Sequence, residues 1–397
     1  MSGWQTEKNG DHALQISRAG KSASGHAAGQ PDSEGRDSRL VRVLGAATAK
    51  DAFSSAMILI NRLAQGSKSM GYMLNGKWVD DDRITADVRG AFVRADSQFR
   101  SWVTADGSAG LSGKAGFKAE PGRYHLFVSY NCPWAHRTII FRQLKNLAGL
   151  VSMSLADKPK TAGWAYGEAI DDFQPEEDGV FRLHQVYAAA DPNYTGKVTV
   201  PTLWDRETRT IVNNESAEII RMFNSSFRAH TPVAYDFYPE ELRGEIDRIN
   251  DFVYSHFNNG VYRAGFARTQ EAYEEAAKKV FACMDQMEEW LGDRRYLAGE
   301  RLTEADWRAF PTLLRFDPVY HGHFKCNLRR VQDYPNLRNY LRELYQWPGI
   351  KETFDLQKTK AGYYSQRNVN PTGIVPIGPD MSHLDLPHDR ERLRAID

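Results

Sequence analysis

Apolar positions along this chain follow two rhythms. Between about residues 70 and 230 they come in short runs broken by turns. The run 124–128 is rich in β-branched and aromatic residues and predicts a buried strand. From Pro133 the spacing turns helical, with Trp134, Thr138, Phe141 and Leu144 at near-helical intervals. Residues 151–156 predict a second strand, which completes a β-α-β unit. Upstream, 73–79 predicts a strand with a turn at Asn75-Gly76. Downstream, 197–205 predicts a strand interrupted by Pro201, the mark of an edge, a bulge or a cis peptide. Residues 210–214 supply a hairpin partner, and Glu215-Ser216 opens a helix through Ile219, Ile220 and Phe223. The stretch up to Gly122, anchored by Phe92, Phe99 and Trp102, reads as loop, as does 157–196, which holds Trp164.

From about Pro239 the rhythm is helical throughout. Leu242, Ile246, Ile249 and Val253 mark one face of a helix over 241–257. A longer helix over 269–291 turns Tyr273, Ala276, Val280, Met284, Met287 and Leu291 inward and stops at Gly292. Thr303 and Asp306 form a capping box, with Leu302 and Trp307 as its hydrophobic staple. Another helix starts at Tyr334-Pro335, and a proline-punctuated tail follows from Gly362. The order of elements predicts an α/β thioredoxin-like domain followed by an all-α domain. Its divisions are an extension over 1–69, the α/β domain over 70–230, the helical domain over 231–361 and the tail over 362–397.

Composition narrows the class. A chain of 397 residues suits two globular domains. Equal numbers of basic and acidic residues, 51 each, give no bulk attraction to nucleic acid or anionic membrane. No apolar run approaches the about 20 residues that span a bilayer. Three cysteines, Cys132, Cys283 and Cys326, are too few and too odd for a disulfide framework. A reducing, cytoplasmic compartment fits, and the sequons at Asn193, Asn214 and Asn224 then carry no weight. Residues 1–69 are rich in Gly, Ser, Ala and charge and read as disordered as a whole, with a patch over 52–63 that could form an amphipathic turn or two. They carry more acid than a transit peptide, and Met70 opens the first compact pattern.

Candidate chemistry concentrates at Cys132-Pro133. Proline suits the first helical position, so Cys132 falls at the N-cap, where free N–H groups and the helix dipole stabilise a thiolate. A thiolate is the attacking form, whereas a small packed core cysteine is the competing reading. Position 135 is alanine, so no C-x-x-C pair forms and an external thiol must reset the sulfur. Other clusters carry less. His321 and His323 lack a third ligand at metal spacing and read as surface or pocket-lining residues. His136 points away from the sulfur, Cys283 is a packing residue, and Arg329, Arg330, Arg390, Arg392 and Arg394 read as solvated faces.

The Cys-Pro helix start, the Val-Pro strand, the Glu-Ser helix start and Leu302-Thr-Glu-Ala-Asp306 together resemble a cytosolic glutathione transferase. Cys-Pro-Trp-Ala-His-Arg, the segment 259–267 and the segment 370–379 more narrowly resemble the glutathionyl-hydroquinone reductases, the Xi-class transferases. That resemblance covers 70 to about 380 and implies glutathione as co-substrate, with no bound cofactor and no metal. It implies Cys132 as the nucleophile that takes the glutathionyl group from an aromatic hydroquinone. Trp164 would pack on glutathione, the backbone of Lys197, Val198, Thr199 and Val200 would pair with it, and Glu215 and Ser216 would hold its γ-glutamyl end. Simple helix capping is the other reading of Glu215 and Ser216. Tyr262 would serve the leaving hydroquinone as proton donor or acceptor, and Tyr320 and Tyr363 would help hold the thiolate. This chain departs from the family pattern in having Gly362 before the two tyrosines and Gln366 after Ser365, which leaves Tyr363 and Tyr364 as alternatives.

The resemblance also implies a homodimer, partnered by glutathione and glutathionylated hydroquinones rather than by nucleic acid or membrane. An omega-like thioltransferase or dehydroascorbate reductase would also use a lone cysteine. A non-catalytic transferase-like binding module would have no use for a complete glutathione site.

Overall fold

The computed structural model describes residues 71–395 apart from 82–83, 112–114, 158–161 and 172. The reading of 1–69, with its apolar patch over 52–63, lies outside the described residues. The first element is a hairpin of β1 (Tyr72–Leu74) and β2 (Lys77–Val79), turning at Asn75 and Gly76 with φ of 48° and 73°. Positive φ at both turn positions is what Asn-Gly supplies most readily. A Cβ on Gly76 would also sit 1.9 Å from the Pro192 carbonyl oxygen, so glycine is required where the hairpin meets that loop. The described residues of 84–123 then run with little regular structure, anchored by buried Trp102 and half-buried Phe92 and Phe99.

The central sheet has four strands in the order β4-β3-β7-β8: β3 (Tyr124–Val128), β4 (Val151–Leu155), β7 (Thr202–Asp205) and β8 (Thr210–Asn213). β4 runs parallel to β3, while β7 and β8 are antiparallel. β3 is buried along its whole length, as a central strand covered on both faces must be. α1 (Pro133–Leu144) crosses from β3 to β4. A second hairpin, β5 (Ala165–Tyr166) with β6 (Phe181–Arg182), leads into α2 (Leu183–Ala190). α3 (Ser216–Ser225) closes this half.

Several expectations change here. The segment 157–196 is not all loop: α2 occupies eight residues of it, too short for periodicity to separate from a buried strand. The strand expected over 197–205 begins only at Thr202, because the cis peptide Val200–Pro201 turns the chain and takes Lys197, Val198, Thr199 and Val200 off the ladder.

The helical half contains α4 (Arg243–Val253), α5 (Gly260–Gly265), α6 (Gln270–Asp293), α7 (Glu304–Arg315), α8 (Pro335–Tyr345) and α9 (Leu356–Tyr364). Thr269 caps α6, and Thr303 with Asp306 forms the expected capping box on α7. Gly292 lies inside α6, which ends at Asp293 rather than before it. The helix expected over 241–257 gives way at Tyr254–Asn258 to one π-helical turn, and a second π turn spans Phe316–Tyr320 after α7. The irregular tail begins after Tyr364, not at Gly362, because Asp355 caps a last helix that carries Gly362, Tyr363 and Tyr364.

One continuous apolar cluster runs through both halves, from Phe127, Phe141 and Trp204 to Trp307, Leu313 and Tyr340. A polar seam crosses it, where Arg221 of α3 donates to the fully buried carboxylate of Glu304 on α7 at 2.7 Å. Arg390 is also fully buried, donating to the carbonyls of Leu291, Arg294 and Arg295, so it ties the tail to the end of α6 rather than forming a solvated face. No helix among the described residues is long and apolar enough to cross a membrane.

Candidate active site

Cys132 is the N-cap of α1, with extended φ and ψ of −88° and 116° and Pro133 behind it at the first helical position. Its Sγ accepts from the Ala135 amide at 3.4 Å and donates to the Val200 carbonyl at 3.3 Å. The sulfur is therefore pinned between the helix start and the residue before Pro201. Burial pushes the Cys132 thiol up, against the amides of Ala135 and Trp134 and the cations Arg315 and Arg94, which pull it down. The helix start does act as expected, but in the free protein desolvation outweighs it. Cys283 and Cys326 are completely buried and take no part in this site, and burial pushes both thiols up.

A cavity of about 380 Å³ opens over the sulfur. Trp164, Lys197, Val198, Thr199, Val200, Glu215, Ser216, Tyr262 and Tyr363 line it with Cys132. The amide and carbonyl of Val198 have no protein partner among the described residues, while Thr199 bonds Tyr187 and the Lys197 carbonyl accepts from Tyr194. Val198 thus offers one free donor and one free acceptor to an extended peptide. Glu215 caps α3, accepting from the Ala217 amide at 3.1 Å and from Ser97 Oγ at 3.2 Å. Capping and lining the cavity are therefore two jobs of one carboxylate.

The opposite wall is aromatic. Tyr262 Oη lies 2.6 Å from Tyr363 Oη, which lies 2.8 Å from Tyr320 Oη. Three hydroxyls from α5, the second π turn and α9 thus form one chain. The second π turn carries Tyr320 at its end, and the first ends at Asn258, just before the helix that carries Tyr262. Tyr320 does not line the cavity and its hydroxyl meets that of Tyr363, which does. Burial raises all three phenols, and further at Tyr320 and Tyr363, whereas Arg94 and the neighbouring hydroxyls pull Tyr262 back. Tyr364 turns away, its hydroxyl 3.4 Å from the Pro318 carbonyl and its ring against His323. Tyr363 is therefore the tyrosine that faces the site.

Gly362 has a steric reason. A Cβ there would fall 2.5–2.7 Å from the side chain of Asn131, the neighbour of Cys132. Asn131 fills space that a side chain at 362 would take. His136 is buried and engages Thr353 and Arg315, away from the sulfur as expected. His323 is buried against Phe324 and Tyr364, not on the surface.

Residues 131–226 match the glutathione S-transferase N-terminal domain and 270–343 the glutathione S-transferase C-terminal domain. The glutathionyl-hydroquinone reductase PcpF of Sphingobium chlorophenolicum is 51% identical over 313 residues, 78% of this chain and 96% of that one. The glutathionyl-hydroquinone reductase YqjG of Escherichia coli is 49% identical over 329 residues, 81% of this chain and 99% of that one. The chain belongs to the glutathionyl-hydroquinone reductases. The fold agrees with that membership of the Xi-class glutathione transferases. The glutathione-bound structure of YqjG superposes with a TM-score of 0.72 at 46% identity, covering 81% of this chain and 99% of that one. The Xi-class transferase of Natrialba magadii gives a TM-score of 0.72 at 43% identity, covering 82% and 98%.

Membership was legible in motifs, but much of the cavity wall was not, Asn131, Trp134 and Arg94 included. Asn131 and Trp134 flank the cysteine and could have been found by proximity to it. Arg94 sits in a segment with no periodicity, and nothing in the sequence pattern marks it.

Proposed function

We propose that this protein reduces glutathionyl-hydroquinones to hydroquinones through a mixed disulfide on Cys132. One observation carries the reading. A single sulfur faces, in one cavity, a free Val198 backbone, the Glu215–Ser216 helix start and the hydroxyls of Tyr262 and Tyr363. The sheet-side groups, with Trp164 beside them, suit a γ-glutamyl tripeptide: Val198 pairs with its backbone, Trp164 packs on it, Glu215 holds the ammonium and Ser216 the carboxylate. The tyrosines suit a phenolic ring.

In the first half-reaction the Cys132 thiolate attacks the glutathionyl sulfur. The S–S bond forms, the sulfur–ring bond breaks, and the ring carbon takes a proton by way of Tyr262. The ring is reduced as the two sulfurs are oxidised to a disulfide. A second glutathione then attacks the glutathione sulfur of that disulfide, and Cys132 leaves as thiolate with oxidised glutathione as product. The thiol proton of the second glutathione balances the one placed on the ring. Entry of the tripeptide supplies the Val198 hydrogen bonds and competes for the contacts that hold Cys132 as a thiol. Tyr320 acts through Tyr363 to support the thiolate.

The test uses purified protein, a glutathionyl-menadiol or glutathionyl-benzohydroquinone, and excess glutathione, beside Cys132→Ser. Free hydroquinone should appear by chromatography with the native protein and not with the variant. Turnover only of hydroxyethyl disulfide or dehydroascorbate would move the protein to an omega-like thioltransferase. Glutathione binding with no turnover would leave a binding module. The same reading makes the protein a cytoplasmic homodimer in the reductive handling of quinones. Sedimentation equilibrium reads the mass against the 45.0 kDa chain, and a single-chain mass would sink the dimer.

A further inference from the structure

An unpaired cation stands in the cavity beside the sulfur. Arg94 lines the same space as Cys132 and Tyr262. Its Nε donates to Asn259 Oδ1 at 2.7 Å, and Asn259 is the residue from which α5, the helix of Tyr262, begins. Its guanidinium carbon sits 4.8 Å from the Tyr262 ring centroid and 5.1 Å from that of Trp134. Nη2 is buried without a hydrogen-bond partner, and no carboxylate pairs with Arg94 among the described residues.

The neighbouring arginines are different. Arg137 also lies against Trp134, at 4.7 Å, but donates to Asn258 Oδ1 and the Arg308 carbonyl. Arg100, on the cavity wall, is paired with Glu218. Arg94 is held at one nitrogen and left open at the others, on the wall that carries the tyrosines. A guanidinium stays charged in any protein setting, so a half-dry one with no counterion is completed by an anion from outside.

The chemistry above makes such an anion. Transfer of the proton of an adjacent ring hydroxyl to the ring carbon that bears sulfur, by way of Tyr262, gives a dienone thioether. Attack by the Cys132 thiolate then forms S–S and breaks C–S. The released electron pair restores the aromatic ring and leaves its charge on that ring oxygen, which water later protonates. We propose that Arg94 is the oxyanion subsite of this enzyme: its free N–H groups bind the aryloxide oxygen of the departing hydroquinone, while Tyr262 serves the ring carbon. This rests on the hydroquinone reading and names what that reading lacks, a cation for the leaving oxygen.

Two titrations of the full chain test it, one with 2,6-dichlorophenolate and one with glutathione. Arg94→Gln should weaken phenolate binding about tenfold, as expected for a charge-assisted hydrogen bond, and leave glutathione within about twofold. Arg94→Lys keeps the cation and should recover phenolate binding to within about threefold, which guards against a merely misfolded glutamine variant. In turnover, Arg94→Gln should slow release of electron-rich hydroquinones by about a hundredfold and of chlorinated ones less, because a more acidic ring needs less help. Unchanged phenolate binding would overturn the subsite. So would equal weakening of glutathione, which would assign Arg94 to a tripeptide carboxylate instead. If the native protein released no hydroquinone yet lost phenolate affinity in the variant, the parent reading would fail and the aryloxide subsite would stand.

Discussion

The two walls of the cavity are built in opposite ways. On the sheet side, Cys132, Val198, Glu215 and Ser216 are each fixed by a local device: a helix start, a cis peptide, a helix cap. On the helical side, Tyr262, Tyr320 and Tyr363 come from three separate elements and meet only through their hydroxyls. The local wall suits the part of the substrate that never changes, a tripeptide. The assembled wall suits the part that leaves, a ring whose substituents vary. On the proposed reading the sheet half supplies the nucleophile and the tripeptide site, while the helical half serves the leaving ring.

That division can be broken by mutation, and the largest effect should come where the walls meet. Cys132→Ser should reduce both half-reactions to background in single-turnover assays with a glutathionyl-hydroquinone and with hydroxyethyl disulfide. Next comes Tyr262→Phe, which keeps the ring and removes only the hydroxyl. Hydroquinone release should fall about 10²–10³-fold, while exchange with hydroxyethyl disulfide stays within about twofold. Equal losses on both substrates would erase the distinction between the walls. Glu215→Gln should do the reverse, raising the KM for glutathione about tenfold whatever the leaving group.

Smaller effects sharpen the picture of how the tyrosine wall seats against the cysteine. Gly362→Ala should lower stability by about 1–3 kcal/mol in urea unfolding, since its Cβ would overlap Asn131. Adding Asn131→Ala removes the amide contacts at 2.5 and 2.7 Å but keeps the Cβ at 2.6 Å, so it should recover only part of that loss, and a purely additive double mutant would remove the Asn131 amide as a cause. The smallest effect is electrostatic. Burial raises the Cys132 thiol and Arg94 pulls it down, so Arg94→Gln should move the thiol further up. Alkylation by iodoacetamide should then slow at pH 7–8 and its inflection shift to higher pH by less than about one unit, or about 1.4 kcal/mol. A shift to lower pH would contradict the sign.

What the sequence made legible follows the same line. Pro133 after Cys132, Pro201 after Val200, Thr303 with Asp306 and Asp355 before α9 act through their immediate neighbours. Of these only Asp355 was passed over, because Gly362 was read as a break when it is a point of close packing. Helix α2 escaped because eight residues carry too little periodicity. The two π turns escaped because no residue preference marks them, and the second carries Tyr320. Arg390 read as solvated because burial of an arginine depends on carbonyls 95–99 residues away, at Leu291, Arg294 and Arg295. Features set by near neighbours can be read from the chain, whereas those set by distant partners have to be seen.

The seam between Arg221 and Glu304 has a consequence beyond geometry. Glu304 is fully buried and receives Arg221 from one half and Asn250 and Arg308 from the other. Separating the halves would strip one charge of its partner while exposing a continuous apolar face, so neither half gains by folding first or lasting longer. The two should melt as one cooperative unit, and neither should survive expression alone. Exchange of one half for that of a distant relative would succeed only if arginine and glutamate travelled together, which makes this pair of domains a single heritable object.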